Sequence, residues 1–415
     1  MQPGLAYSDA RGRVFFDSEA LPLAGDGIER EASSAELIPA PPGTVTTMLP
    51  GRRPRLVRGR SARRTALAAL LPIGYTRLLL PAYARDAGAP VLPLFGYTFA
   101  CAIDDALHVA AAKTDEPPDW QPRFFPAGML ERIVEQRRAA DPQNRLLEQV
   151  ERCALEYGCF TAQNVFLACG EAALPVSPRC NAACVGCISE QDLDAGIPSP
   201  QERIAFEPQV DEIVRVAVAH FERVPEGIVS FGQGCEGEPL LRASAIASAI
   251  EKIRGRLPRG TINLNTNGSL PKSLRRLIDA GLQAVRISLS SFRPDVYAAY
   301  YRPVGYALDD VFESIRMAGD AGLRVSLNLL THPGVTDDRA ELLAMETFLR
   351  DVRPALIQTR TLNIDPDVYF ACVGRPAEPL GMLHALDRIG RCGIEIGNVT
   401  RPAMQGSLAT PTGRS

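Results

Sequence analysis

Three cysteines carry the strongest chemical signal in the chain. The stretch Arg179-Cys180-Asn181-Ala182-Ala183-Cys184-Val185-Gly186-Cys187 spaces three thiols as C-x3-C-x2-C. Soft thiolates at that density suit zinc or an iron–sulfur cluster. A structural zinc site wants a fourth ligand close by. None follows: the next cysteine is Cys235, and no histidine lies between Cys187 and His220. Three protein ligands on a [4Fe–4S] cluster leave one iron open to a substrate or cofactor. The missing fourth ligand is itself functional information.

The elements that must hold these thiols begin near residue 170. Apolar runs at Leu174–Val176, Gly227–Phe231, Thr261–Asn265, Ala284–Leu289, Leu323–Leu330 and Ala355–Thr361 read as buried strands. Helical stripes lie between them, such as Ile213, Val214, Ala217 and Phe221. Strand–helix units in this order require a parallel sheet. Six units predict an α/β fold, a partial (β/α)6 TIM-like barrel over residues 170–400, with functional loops at the C-terminal strand ends. Residues 126–169 read as a helical linker, with Leu146, Leu147, Val150, Cys153, Ala154 and Tyr157 on one stripe. Residues 1–125 lack helical periodicity and read as a β-rich accessory region. Its hairpin signals are Leu5–Ser8 with Arg13–Phe16, and Leu92–Ile103 with Ala106–Ala111 across Asp104-Asp105. Trp120, between two prolines, reads as packing at the joint, and residues 401–415 as a disordered tail.

Together the cysteine spacing and the motifs at later strand ends resemble the radical S-adenosylmethionine (radical SAM) superfamily, in particular its uncharacterised bacterial members. Gly237-Glu238-Pro239 resembles the family's glycine–glutamate motif, which holds the methionyl amino group of the cofactor. Thr266-Asn267-Gly268 resembles its Thr-Asn-Gly turn, and Ser288-Leu289-Ser290 its serine-bearing strand end. Asn328 is a further polar candidate near the end of the fifth strand. The resemblance covers roughly residues 170–391. It implies a [4Fe–4S] cluster on Cys180, Cys184 and Cys187, with S-adenosylmethionine contacted by Gly237, Glu238, Thr266, Asn267, Ser288, Ser290 and Asn328. It implies reductive cleavage of that cofactor to a 5′-deoxyadenosyl radical, which takes hydrogen from a substrate. It assigns no further catalytic residue. The family's aromatic residue before the third cysteine is Gly186 here, which points to another loop for the adenine contact.

Each motif also has a structural reading. Glu238 suits a helix N-terminus, and Thr266-Asn267-Gly268 suits a tight turn. Arg360, Asn363 and Asp365 follow the sixth strand and face either the site or a polar Asp-Pro turn. Cys235 and Cys372 are either substrate-facing thiols or buried and inert. Of the four histidines only His332 lies where chemistry is expected.

Composition narrows the function classes. With 46% hydrophobic and 22% charged residues over 415 positions, the chain is globular rather than disordered or fibrous. A net charge of −3 gives no general reason for a nucleic-acid partner. The run Arg52, Arg53, Arg55, Arg58, Arg60, Arg63 and Arg64 reads as a solvated loop, with RNA contact as the alternative. Pro72 and Arg77 break the longest apolar stretch, so no membrane span and a cytoplasmic location are expected. The expected partners are a small-molecule or peptide substrate and a reductant such as flavodoxin or ferredoxin. Two other readings stay open: radical, methyl-transferring modification of RNA, and a non-catalytic iron–sulfur protein for electron transfer or sensing.

Overall fold

In the computed structural model, which describes residues 2–116, 128–191 and 196–403, the cysteine loop hangs from a seven-stranded parallel sheet. The strands follow chain order: β1 (Glu171–Ala173), β2 (Ile228–Phe231), β3 (Thr261–Thr266), β4 (Ala284–Leu289), β5 (Arg324–Thr331), β6 (Leu356–Thr361) and β7 (Glu395–Gly397). The crossovers carry α1 (Val210–Phe221), α2 (Ala243–Arg256), α3 (Pro271–Asp279), α4 (Pro294–Tyr301), α5 (Leu308–Asp320), α6 (Arg339–Asp351), α7 (Pro366–Val373) and α8 (Met382–Arg391). Their starts are chemically marked. Pro271, Pro294 and Pro366 open three of them, and Asp338 and Asp365 cap α6 and α7 through their side chains.

Alternation along each strand divides the sheet into two faces. Val229, Ile262, Leu264, Val285, Ile287, Leu327 and Ile357 pack outward against the helices in one continuous core. The inward residues are polar. Arg286 donates to Asn265 (2.8 Å), Gln358 (3.2 Å) and Glu171 (3.2 Å), and also to Thr400. Ser230 donates to Glu171 at 2.5 Å, and Asn263 to Ser230 at 3.0 Å. This buried network plugs the barrel and separates the space at the C-terminal strand ends from a second cavity at the N-terminal ends, lined by Thr261, Gln283, Arg324 and Glu395.

Two expectations about the sheet are corrected. The first strand is Glu171–Ala173, not Leu174–Val176, because the pairing with β2 starts at the inward-facing Glu171, which does not read as apolar. The barrel also has a seventh strand, β7, so the (β/α)6 count is one strand short. Only three residues long and flanked by glycine, β7 has no apolar run to announce it.

The N-terminal region is built of short antiparallel strands. Gly4–Ser8 pairs with Val14–Asp17, and Asp9 accepts from the amides of Arg11 and Arg13 to close the turn. Thr98–Ile103 pairs with Ala106–Lys113 across Asp104 and Asp105, both left-handed, as a two-residue hairpin turn requires. Residues 91–97 precede that strand without joining it. Three helices follow, Met129–Ala140, Arg145–Leu155 and Phe160–Leu167, and Leu146, Leu147, Val150, Cys153 and Ala154 are buried as the stripe predicts. Trp120 and the tail from 404 onward lie outside the described residues. No helix among the described residues is long and apolar enough to cross a membrane.

This region is tied into the barrel. Leu80 and Leu94 belong to the same core as the barrel strands. Arg77 is buried and donates to the carbonyls of Tyr97 (3.0 Å), Thr331 (3.3 Å) and Leu362 (3.4 Å). The hydroxyls of Thr76 and Thr359 are 2.5 Å apart. The expectation of a solvated arginine loop fails at Arg52, which is fully buried and pairs with Asp365 at 2.7 Å. Arg53, Arg55 and Arg64 pair with Asp86, Glu29 and Asp17. Four of the seven arginines are thus paired with carboxylates, while Arg58, Arg60 and Arg63 stand exposed.

Candidate active site

A cavity of about 500 Å³ opens above the polar plug, at the C-terminal ends of the strands. Cys180, Cys184 and Cys187 all line it, as do Gly237, Glu238, Thr266, Asn267, Ser288 and Asn328. Ser290 does not: it lies beyond the end of β4, buried, with its hydroxyl unpartnered. Residues separated by up to 148 positions (from Cys180 to Asn328) thus line one cavity because every barrel loop ends at the same rim.

Backbone contacts on several sides hold the cysteine loop. The Gly237 amide donates to Ser177 O at 2.7 Å and the Glu238 amide to Arg179 O at 2.8 Å. On the opposite side, the amides of Ala183 and Val185 donate to the Tyr301 and Tyr300 carbonyls at 3.1 and 3.0 Å. Asn181 bridges Ser269 and Asn267, each at 2.9 Å. A Cβ at position 237 would overlap the Arg179 carbonyl, so only glycine lets the two loops meet. Glu236, which the sequence does not single out, acts as a buckle. Its carboxylate accepts from Val176 and Ser177 after β1 (2.7 and 2.9 Å) and from Gly232 and Gln233 after β2 (both 2.7 Å).

Burial raises the Cys180 thiol to about 11 and the Cys184 thiol further. A metal binding here must therefore displace protons. Arg203 stands 3.5 Å from the Cys187 sulfur. Glu238 is buried and accepts from Thr266 Oγ1 (2.5 Å), Leu240 N (2.9 Å) and Asn267 N (2.8 Å). Burial outweighs these bonds and raises its carboxyl to about 7. The Leu240 contact makes it the cap of the short helix that follows, and the carboxylate also lines the cavity.

Gly186 packs under Tyr300: a Cβ there would sit 2.9 Å from the Tyr300 hydroxyl. Tyr300 and Tyr301 both line the cavity from the end of α4. An aromatic side chain is thus present beside the third cysteine, but it comes from a distant helix. No local signal in the sequence could have found it.

The other sequence candidates separate cleanly. Arg360 and Asn363 line the cavity. Asp365 does not: it caps α7, pairs with Arg52 and accepts from Leu92 N at 2.8 Å. Cys235 is buried and outside the lining, and the Cys372 thiol donates to Ala299 O. His332 is buried against Tyr369, with ring centres 4.6 Å apart. The N-terminal region completes the enclosure with Leu71, Pro72, Ile73 and Tyr75.

Residues 174–345 match the Radical SAM superfamily. A GTP 3′,8-cyclase of Thermodesulfovibrio yellowstonii is 34% identical over 174 residues, 41% of this chain and 50% of its own length. One of Streptomyces coelicolor is 32% identical over 172 residues, 41% of this chain and 47% of its own. Among solved structures, a radical SAM methyltransferase from Sphaerobacter thermophilus is 15% identical, covering 55% of this chain and 64% of its own at a TM-score of 0.38. The chain spans about half the length of the curated relatives it matches.

Proposed function

We propose that this chain, an enzyme of the radical SAM superfamily, holds a [4Fe–4S] cluster on Cys180, Cys184 and Cys187 and S-adenosylmethionine beside it. Members of the family bind both groups. The observation that carries the reading is the meeting of three thiols and Glu238 in one cavity.

The donor set fits the two groups. Among the described residues no three His, Cys, Asp or Glu stand close enough to hold a single metal ion. All three thiols line the one cavity. Glu238 has hydrogen-bond donors but no cation at ion-pair distance, so an incoming ammonium finds its charge unspent. Held by these residues, the two groups would supply reductive cleavage of the cofactor and hydrogen abstraction from a substrate.

The chain's own task is orientation and exclusion of water. Glu238 fixes the amino end of the cofactor. Thr266 and Asn267 hold Glu238 in place, with Ser288 and Asn328 further along the wall. Tyr300 offers the aromatic surface that Gly186 lacks. Leu71, Pro72 and Ile73 shield the cavity with apolar side chains, which protects a reactive radical. Reduction calls for an electron donor of the flavodoxin or ferredoxin class.

The curated relatives are GTP 3′,8-cyclases, but GTP is not carried over as substrate. The matched span, 174–345, contains the cysteines and Glu238, whereas Arg360 and the 71–75 segment lie outside it. RNA methylation loses its support, since Cys235 and Cys372 lie off the cavity and Arg52 is buried.

Electron paramagnetic resonance on the anaerobically reconstituted, reduced protein tests the reading. Adding S-adenosylmethionine should change the cluster's signal, as expected of a cofactor bound beside it. An unchanged signal at saturating cofactor would favour a plain electron-transfer protein.

A further inference from the structure

Most arginines that reach the interior of this fold are paired. Arg286 has four partners, Arg77 three carbonyls and Arg52 a buried carboxylate. Arg360, at the end of β6, has none: its guanidinium donates no hydrogen bond and makes no ion pair among the described residues, yet it lines the cavity. Gln358, two residues earlier, points inward to Arg286, so Arg360 points inward one layer higher. The charged groups that act on it are spoken for. Glu171 pairs with Arg286 at 3.2 Å and Asp115 with Arg401 at 2.5 Å, while Arg286 repels it. A half-buried cation with no counter-charge beside it is left unneutralised, and an anion entering the cavity would supply one.

We propose that Arg360 is the anion-binding residue for the substrate, and that the substrate is a small molecule carrying a carboxylate or phosphate. The inference rests on the proposed cofactor reading of the same cavity. A guanidinium fork matches either oxyanion. Thr361 and Asn363 beside it offer further polar contacts, and Leu71, Ile73 and Leu330 an apolar surface for the rest of the molecule. A cavity of about 500 Å³ shared with the cofactor leaves room for a small ligand only.

The rival occupant is the cofactor's own carboxylate. Its amino and carboxylate groups share one carbon, so they must be bound side by side. Glu238 is bonded to Thr266 of β3, whereas Arg360 ends β6, three strand positions away. At ~4.8 Å per strand that is roughly 14 Å along the sheet. Arg360 is therefore placed for a second molecule.

Calorimetric titration of the reconstituted protein with pyrophosphate and with succinate, before and after saturation with S-adenosylmethionine, tests this and separates phosphate from carboxylate. At least one probe should bind the saturated protein. R360Q should weaken that binding about tenfold or more, and R360K should retain part of it. Three results would overturn the proposal: binding that disappears once the cofactor is present, wild-type protein that takes up neither probe, and R360Q that binds as wild type does. Protein that binds a probe in an Arg360-dependent way but never binds S-adenosylmethionine would support the anion site and sink the cofactor reading instead.

Discussion

The two walls of the cavity hold opposite charges in opposite ways. On the wall formed by the loops after β1, β2 and β3, Glu238 is buried among three donors but has no cation at ion-pair distance among the described residues. On the wall formed by β5, β6 and the 71–75 segment, the Arg360 guanidinium lacks even hydrogen-bond partners among the described residues. The first wall lies inside the family-matched span, and the second largely falls outside it. The contrast suggests a division of labour. The first wall has fixed chemistry and short local motifs, whereas the second draws on two distant parts of the chain and sets what is accepted.

The largest effect should come from emptying the first wall. Replacing Cys180, Cys184 and Cys187 together by Ala should remove essentially all bound iron, measured against about four per chain in the wild type. A four-iron remainder would mean that other cysteines build a cluster and that the wall has been misassigned.

The second wall depends on how the N-terminal region is anchored. Arg52→Ala leaves Asp365 buried without its partner, at the cap of α7 just beyond Arg360. Breaking such a pair costs about 3–5 kcal/mol, so the thermal midpoint should fall clearly. Arg53→Ala, in an exposed pair, should cost under about 1 kcal/mol. Equal effects would show that the buried anchor is not special.

Glu238→Gln should weaken S-adenosylmethionine binding by about 1.5–3 kcal/mol, the contribution of one charge-assisted hydrogen bond. With the carboxyl raised to about 7, wild-type affinity should rise with pH, being about tenfold weaker at pH 6 than at pH 8. The Gln variant should show a flat profile. Stability runs the other way. The folded state holds this proton more tightly than the unfolded chain, so the stabilisation is full below the ordinary carboxylate range and is lost as pH rises through about 7.

The smallest effect is expected at Tyr300. Removing its ring should reduce cofactor affinity by about 0.5–1.5 kcal/mol, the scale of one aromatic contact. An unchanged affinity would leave the adenine contact to another residue.

These walls also differ in how far they can be read from sequence. Cys180, Cys184 and Cys187, Gly237-Glu238 and Thr266-Asn267 are contiguous motifs at strand ends, and the fold sets them around one cavity without long-range information. Ser290 resembles its neighbours in sequence but falls past the end of β4, away from the lining. Polar inward residues such as Glu171 blur the first strand, and β7 is too short to show a period. The Arg52–Asp365 pair and the packing of Tyr300 on Gly186 join residues far apart in the chain, and no spacing rule encodes either. Arg360 stands out as a candidate in the sequence, but its lack of a partner is visible only once every neighbouring carboxylate is placed.

The account turns on whether this cavity cleaves S-adenosylmethionine. Anaerobically reconstituted protein, reduced with dithionite and given the cofactor alone, should release 5′-deoxyadenosine and methionine slowly, and the Cys180/Cys184/Cys187→Ala variant none. Wild-type protein with its cluster intact that releases no 5′-deoxyadenosine above the variant's background, with or without anionic small molecules, would contradict it.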